Sequence, residues 1–89
     1  MTKFANSLVF DQVAIEDLVY WVKQDRRKAE KILNLAQDIM KDPFTGKGKP
    51  EPLKHSCAGY WSRRIDQEHR IVYSVKNDNI RILSCHSHY

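Results

Sequence analysis

The chain has 89 residues, of which 42% are hydrophobic, so it can build one small domain around one modest core. No apolar run approaches the roughly 20 residues that span a bilayer, and the N-terminal residues lack the apolar segment of a signal peptide. Two cysteines, Cys57 and Cys85, are too few for a disulfide scaffold. We therefore expect a single domain over residues 1–89 in the reducing environment of the cytoplasm.

The net charge of +4 is distributed unevenly along the chain. Residues 1–42 contain seven basic and seven acidic side chains, whereas residues 43–89 contain eight basic and four acidic ones, together with all four histidines. A neutral half is thus followed by a basic half, and the basic half predicts an anionic partner.

The neutral half is predicted to form a strand and two helices. A short β-type run covers residues 7–10, and Asp11 is a plausible N-cap for a helix over residues 13–23. Asp25 is in position to cap a second helix that begins at Arg26 and ends before Pro43. The apolar stripe of this second helix recurs at helical spacing: Ala29, Ile32, Leu33, Ala36, Ile39 and Met40.

The basic half is predicted to form a loop followed by strands. Residues 43–52 hold all three prolines and two of the three glycines, a density that indicates a shaped loop. A short extended segment over residues 53–57 follows, and then β-type runs over residues 60–66, 70–76 and 80–86. Short turns between these runs predict an antiparallel meander with one face on the helices and the other face open and basic. The fold class is therefore α+β, an N-terminal strand and two helices packed on an antiparallel sheet; alternation leaves open which residues face the helices.

Four motifs in the basic half resemble those of the YoeB/Txe toxins, the RelE-like branch of bacterial toxin–antitoxin systems. They are Phe44-Thr-Gly-Lys-Gly-Lys-Pro-Glu-Pro-Leu-Lys54, Gly59-Tyr-Trp-Ser-Arg-Arg-Ile65, Glu68-His-Arg-Ile-Val-Tyr73 and His88-Tyr89. The resemblance implies a RelE-like microbial RNase fold. It also implies a ribosome-dependent endoribonuclease that cuts mRNA in the ribosomal A site and is neutralised by a cognate antitoxin of the YefM/Axe type.

The resemblance also implies roles for individual residues. Glu51 falls at the position of the general base, Arg70 at that of the arginine that stabilises the transition state, and His88 at that of the general acid. Residues that match substrate-binding positions are Lys54, Arg64, Glu68 and Tyr89. The family usually ends in Cys-basic-Tyr-His-Tyr, whereas this chain ends in Cys85-His86-Ser87-His88-Tyr89 and so lacks the aromatic residue before His88.

The chemistry of RNA supports these roles independently. A 2′-hydroxyl can attack the adjacent phosphorus without a metal if a base removes its proton, an acid protonates the leaving 5′ oxygen and a cation stabilises the phosphorane. Each acid–base partner typically contributes about 10²–10⁴-fold in rate, and the planar fork of arginine suits the phosphorane oxygens. We therefore expect no metal and no cofactor.

Basic side chains of the same half are expected to bind the ribosome. The rRNA-contact candidates are Lys47, Lys49 and Arg63, and binding through them would be sensitive to salt. The expected partners are the ribosome, mRNA, an antitoxin whose acidic segment folds across the basic face or the loop, and a second copy of the chain.

Three alternative interpretations remain open at this point. The domain could be a non-catalytic basic module that binds RNA, the ribosome or a protein, with its arginines on a solvated strand face. The pairs His55-Ser-Cys57 and His86-Ser-His88, with Cys85 adjacent, could supply four zinc ligands, although their spacing matches no standard zinc module. The aromatic residues of the strands fit a core better than a platform for base stacking: Tyr60, Trp61 and Tyr73.

Overall fold

The computed structural model describes residues 7–53 and 59–87, with Ser87 described by its backbone only. Its elements are β1 (Ser7–Phe10), α1 (Gln12–Gln24), α2 (Arg26–Lys41), β2 (Glu51–Pro52), β3 (Tyr60–Arg64), β4 (Arg70–Lys76) and β5 (Asn79–Ser87). Two helices pack on one sheet, so the predicted α+β class is confirmed.

The two aspartates that precede the helices behave differently. Asp25 caps α2 as predicted, because its Oδ1 accepts a hydrogen bond from the backbone N–H of Arg27 at 3.2 Å. Asp11 occupies the N-cap position of α1, but its side chain makes no capping hydrogen bond and instead pairs with Arg81 at 2.9 Å. The capping role predicted for Asp11 is therefore wrong, since its carboxylate ties the start of α1 to β5.

The buried face of α2 follows the predicted helical spacing with one exchange. Leu33 is 47% exposed, and Leu35 takes a place in the core instead. The core residues of this helix are Ala29, Ile32, Leu35, Ala36 and Ile39. Below the helices, the central strands contribute Ile71, Tyr73, Ile80 and Ile82, all almost fully buried.

The sheet has five strands in the order β1-β5-β4-β3-β2. Strands β3 to β5 form the predicted antiparallel meander. The two residues of β2, which the sequence assigned to the loop, add to β3 as a further antiparallel strand. Strand β1, predicted as a separate N-terminal strand, adds to the free edge of β5 in parallel, so the sheet as a whole is mixed. A parallel neighbour needs a crossover connection, which the helices and the rest of the sheet provide between β1 and β5.

Two irregularities in the pairing of β4 with β5 decide which residues of β5 face the helices. Val72 pairs with Ser84, whereas Tyr73 pairs with Ile82, so β5 contains an extra residue at this point. Because of this bulge, Ile82 and Cys85 both reach the core although they have opposite parity. Simple alternation along β5 could not have placed both of them.

The face of the sheet opposite the helices carries several of the site residues predicted from the sequence. Cross-strand partners share a face, so the pairs Glu51–Ser62, Arg64–Arg70 and Tyr60–Ser74 all lie on it. Trp61, Tyr73 and Ile71 lie on the other face, with the core. Within residues 7–53 and 59–87, no helix is both long enough and apolar enough to cross a bilayer.

Candidate active site

Glu51 and Arg70 meet on the face opposite the helices, although 19 positions separate them in the chain. Nη1 of Arg70 lies 3.2 Å from Oε1 of Glu51 and donates a second hydrogen bond to the hydroxyl of Ser62 at 3.3 Å. The three residues come from three adjacent strands, because Glu51 pairs with Ser62 and Arg70 follows the turn after β3. The side chain of Glu51 is 51% exposed and that of Arg70 is 19% exposed, so the carboxylate side is open to solvent and the arginine is partly buried.

The guanidinium of Arg70 keeps most of its donors free. In the part of the chain that the structure describes, its Nε and Nη2 groups donate no hydrogen bond, and only Nη1 is engaged. Five N–H donors in a fixed fork can bind two oxygens of a phosphoryl group at once. Arg70 is thus held in place by one nitrogen and can present the others to an anion.

Arg63 shows the opposite arrangement and corrects one prediction. Its side chain is fully buried. All three of its nitrogens are engaged: Nε with the hydroxyl of Tyr73, Nη1 with Asp38 at 2.6 Å and with a loop carbonyl, and Nη2 with two more loop carbonyls. The prediction that Arg63 contacts rRNA is wrong, because this guanidinium has neither exposure nor a free donor.

What Arg63 binds is the loop that leads to Glu51. The carbonyls of Asp42, Thr45 and Lys47 accept its hydrogen bonds at 2.6, 2.9 and 3.1 Å. Tyr73 adds a fourth tie, since its hydroxyl donates to the carbonyl of Pro43 at 2.6 Å. Side chains of β3 and β4 therefore hold the loop of residues 42–47 by four hydrogen bonds to its carbonyls, and this loop precedes Glu51 in the chain.

Glycines make this close approach possible. A Cβ on Gly46 would lie 2.3 Å from a carboxylate oxygen of Asp38, and Gly46 has a positive φ of 124°. Asp38 also accepts from the backbone N–H of Lys47 at 3.0 Å. Partial burial acts to raise the pKa of Asp38, but the hydrogen bonds from Lys47 and Arg63 outweigh it and hold this pKa below its usual value.

A second fastened turn leads directly into Arg70. Oδ1 of Asp66 accepts from the backbone N–H groups of Glu68 and His69 at 2.8 and 2.6 Å, and its Oδ2 pairs with Lys28 of α2 at 2.7 Å. Nδ1 of His69 lies 3.1 Å from the same carboxylate. Burial acts to raise the pKa of Asp66, but these contacts outweigh it and hold the pKa well below its usual range. Because Arg70 follows His69, this carboxylate fixes where β4 begins.

The end of β5 is fastened to the helices. Nε1–H of Trp21 donates to the carbonyl of Cys85 at 2.7 Å, and the carboxylate of Asp17 accepts from the backbone N–H of Cys85 at 2.9 Å. The ring of His86 stacks on Tyr20 with centroids 4.3 Å apart and on His69 at 4.9 Å. His86, which lies two residues before His88 in the sequence, thus makes an aromatic contact with Tyr20 of α1.

The described residues give no support to a zinc site. Cys85 lies buried against the carbonyl of Ala14, and burial together with the charge of Asp17 raises the pKa of its thiol to about 12. A thiol in this state is a poor ligand, because metals bind the thiolate. Among residues 7–53 and 59–87, no group of three or more His, Cys, Asp or Glu side chains could hold a metal ion. His55, Cys57 and His88 lie outside these residues.

The remaining predicted site residues fall into two groups. Four of them are exposed: Lys47, Lys49, Arg64 and Glu68. Arg64 lies directly across from Arg70 in the sheet. The other three, Lys54, His88 and Tyr89, lie outside the described residues. The described chain ends at Ser87, which pairs with Arg70, and His88 is the next residue in sequence.

Sequence reasoning missed Ser62, Asp38 and Asp66. Ser62 carries no signal beyond its place two residues before Arg64, and its role follows only from the register of β2 with β3. Asp66 could have been found, since an Asp that ends a strand run and is followed by a short polar segment is typical of a turn closed by its side chain.

Comparison with known proteins agrees with this geometry. Residues 10–89 match the family described as "YoeB-like toxin of bacterial type II toxin-antitoxin system". Toxin YoeB of Escherichia coli (strain K12) is 48% identical over 82 residues, which are 92% of this chain and 98% of the relative.

Two solved structures from Staphylococcus aureus have the same fold. The YoeB dimer is 42% identical with a TM-score of 0.86, and the match covers 93% of this chain and 97% of that chain. The toxin chain of the YoeB-YefM complex is 41% identical with a TM-score of 0.80, and the match covers 92% of this chain and 95% of that chain. The chain therefore belongs to the YoeB-like toxin family of bacterial type II toxin–antitoxin systems.

Proposed function

We propose that this toxin is a ribosome-dependent endoribonuclease that cuts mRNA in the decoding A site and thereby inhibits translation in the cytoplasm. The observation that carries the proposal is the contact between Glu51 and Arg70, a half-exposed carboxylate and a guanidinium with free donors on one open face. A base and a phosphate-binding cation side by side are what an attack by a 2′-hydroxyl on its own phosphodiester requires.

The proposed reaction uses three side chains. Glu51 removes the proton from the 2′-hydroxyl, whose oxygen attacks the adjacent phosphorus. Arg70 donates through Nε and Nη2 to the two non-bridging oxygens as the phosphorane forms. His88, which follows the strand residue paired with Arg70, donates a proton to the 5′ oxygen as the P–O bond breaks. The products are a 2′,3′-cyclic phosphate and a free 5′-hydroxyl, and the reaction uses no metal and no cofactor.

Substrate binding is assigned to the residues around this set. Arg64 lies beside Arg70 on the same face and is exposed. The other substrate-binding residues proposed from the family resemblance are Lys54, Glu68 and Tyr89. The ribosome supplies what the toxin lacks, because it holds the mRNA in the in-line geometry that cleavage needs. We expect slow cleavage of naked RNA for this reason.

The proposed protein partners are an antitoxin and a second copy of the chain. The Staphylococcus aureus structures are those of a YoeB-YefM complex and of a YoeB dimer. In this chain, α1 exposes an apolar stripe of three residues at helical spacing, Ile15, Val19 and Val22, each between 43% and 50% exposed. Such stripes are typical of protein interfaces. Light scattering of the toxin alone and with a YefM-like antitoxin tests both assemblies.

The decisive experiment maps the 3′ ends of mRNA on ribosomes programmed with a defined codon in the A site. We expect Glu51→Gln and His88→Ala each to slow cleavage by about 10²–10⁴-fold, the range of one acid–base partner. Arg70→Lys keeps the charge but loses the fork, and we expect an intermediate loss. Glu30→Gln, an exposed carboxylate of α2, is the matched control and should cleave like the wild type.

Two results would contradict the proposal. If the wild type binds programmed ribosomes without cutting, the domain is a non-catalytic binding module. If it cuts and all three variants cut equally well, the active site lies elsewhere.

A further inference from the structure

A basic groove runs along the edge of the proposed active site. It has a volume of about 440 Å³ and lies between α2, the loop at residues 47–49 and the end of β3. Four cationic side chains line it: Lys31 from α2, Lys47 and Lys49 from the loop, and Arg64 from β3. Lys31 is an exposed residue of α2, and the proposed function gives it no role.

Among the described residues that line the groove, positive charges outnumber negative ones. In the described part of the chain, none of these four side chains forms an ion pair. The one carboxylate in the lining is Asp66, and it is already paired with Lys28 and hydrogen-bonded by the turn before Arg70. The groove therefore carries an excess of positive charge, which favours an anionic ligand.

The backbone at Lys49 is a second, independent observation. Its φ of 51° lies in the left-handed region, where a residue with a Cβ is uncommon and glycine or asparagine is favoured. The neighbouring Gly48 is held against β3, since its carbonyl accepts from the backbone N–H of Arg64 at 2.6 Å. A lysine thus stands at a position where its backbone is unfavourable, and its side chain lines the groove.

Arg64 connects the groove with the proposed active site, whose residues Glu51 and Arg70 do not line the groove themselves. Arg64 lines it and lies directly opposite Arg70, so their Cα atoms are about 4.5–5.5 Å apart. A strand of RNA whose reacting phosphate lies at Arg70 would have its neighbouring phosphates at this edge. We propose that the groove binds the phosphate backbone of the mRNA strand beside the cleaved bond, and that Lys31 and Lys49 are binding residues for it. This inference rests on the proposed function, because it takes RNA as the substrate.

The test measures binding rather than cleavage, in a Glu51→Gln background in which cleavage is expected to be about 10²–10⁴-fold slower. A fluorescent single-stranded RNA is titrated by anisotropy at several salt concentrations. We expect Lys31→Gln and Lys49→Asn each to reduce the slope of log K against log salt by about 0.7, the contribution of one phosphate contact on single strands. Asparagine tolerates the left-handed backbone, so Lys49→Asn removes the charge without straining the loop.

The matched control is Lys23→Gln on α1, an exposed lysine outside the groove, which should leave the slope unchanged. A second arm measures binding to vacant ribosomes without mRNA, where we expect all variants to bind like their background. The proposal thus assigns Lys49 to mRNA in place of the rRNA contact expected from the sequence. Unchanged slopes for both groove variants would overturn the proposal. An equal loss on vacant ribosomes would also overturn it, since the groove would then bind rRNA. Neither arm depends on cleavage, so failure of the nuclease proposal and failure of the groove proposal are distinguishable.

Discussion

Arg63 and Arg64 are adjacent in sequence, and the structure predicts opposite consequences for their replacement. Arg63 is buried beneath the loop of residues 42–47, whereas Arg64 is exposed on the opposite face. We expect Arg63→Met to destabilise the fold strongly and Arg64→Met to leave stability unchanged while weakening RNA binding. Methionine is chosen because it keeps an unbranched apolar stem in place of that of arginine and lacks the guanidinium.

The magnitude follows from the contacts that are lost. Removing one partner of a buried ion pair costs about 3–5 kcal/mol, because the other partner is left uncompensated. Asp38 is 22% exposed and keeps its hydrogen bond from Lys47, so water can partly replace the guanidinium. We therefore expect a loss near the lower end, about 3 kcal/mol, out of the roughly 5–15 kcal/mol that stabilise a typical domain. For a domain of this size, that loss lowers Tm by about 12–24 °C.

Urea unfolding followed by circular dichroism measures both variants. Arg64→Met should stay within about 0.5 kcal/mol of the wild type, as surface substitutions do. If Arg63→Met does not fold, Arg63→Lys provides the measurement, since an ammonium donates to at most three of the acceptors and should lose about 1–2 kcal/mol. The reasoning is refuted if Arg63→Met loses less than 1 kcal/mol, or if Arg64→Met loses as much as its neighbour.

Three further predictions concern the fastened turns and the core. Gly46→Ala should lower the free energy of unfolding by roughly 1–3 kcal/mol, because its Cβ would collide with Asp38 at a positive φ; an unchanged urea midpoint would count against the loop geometry. The lowered pKa of Asp66 contributes stability above about pH 4 that is lost as the pH falls, so Asp66→Asn should flatten the acid limb of a stability–pH curve; an unchanged limb would show that the carboxylate does not stabilise the fold. In a Cys57→Ser background, Cys85 should react with iodoacetamide about a thousandfold more slowly in native than in unfolded protein, and equal rates would contradict its burial.

Much of the fold could be predicted from local pattern. The bounds of β1 and β4, the start of α2 and its cap follow from periodicity and from residues that mark element ends. The exchange of Leu33 for Leu35 could not be predicted, because both positions are within one residue of the apolar stripe and only the packing against the sheet decides between them. The bulge in β5 is likewise set by its pairing with β4, which local sequence does not specify.

The pairing of Glu51 with Arg70 could be predicted from the sequence, but which neighbouring arginine is buried and which is exposed could not. Glu51 and Arg70 were expected together, and the structure joins them at 3.2 Å. Strand alternation alone does not show which of Arg63 and Arg64 is buried, since either parity of β3 could face the helices. The decision depends on Asp38, which lies on α2 and supplies the carboxylate that accepts from the buried guanidinium.

The residues that stabilise the loop and the turn are different from the residues proposed to react, and the two sets lie in different places. The carboxylates that hold the loop and the turn, Asp38 and Asp66, pair with Arg63 and Lys28, neither of which contributes to the contact between Glu51 and Arg70. Among the described residues, the side chains of Glu51 and Arg70 form hydrogen bonds through Nη1 of Arg70 alone, which contacts Glu51 and Ser62. Substitutions at the face should therefore change cleavage with little effect on stability, whereas substitutions beneath it should change stability first. Activity lost by the second kind should recover at low temperature, where the destabilised variants are folded, and activity lost by the first kind should not.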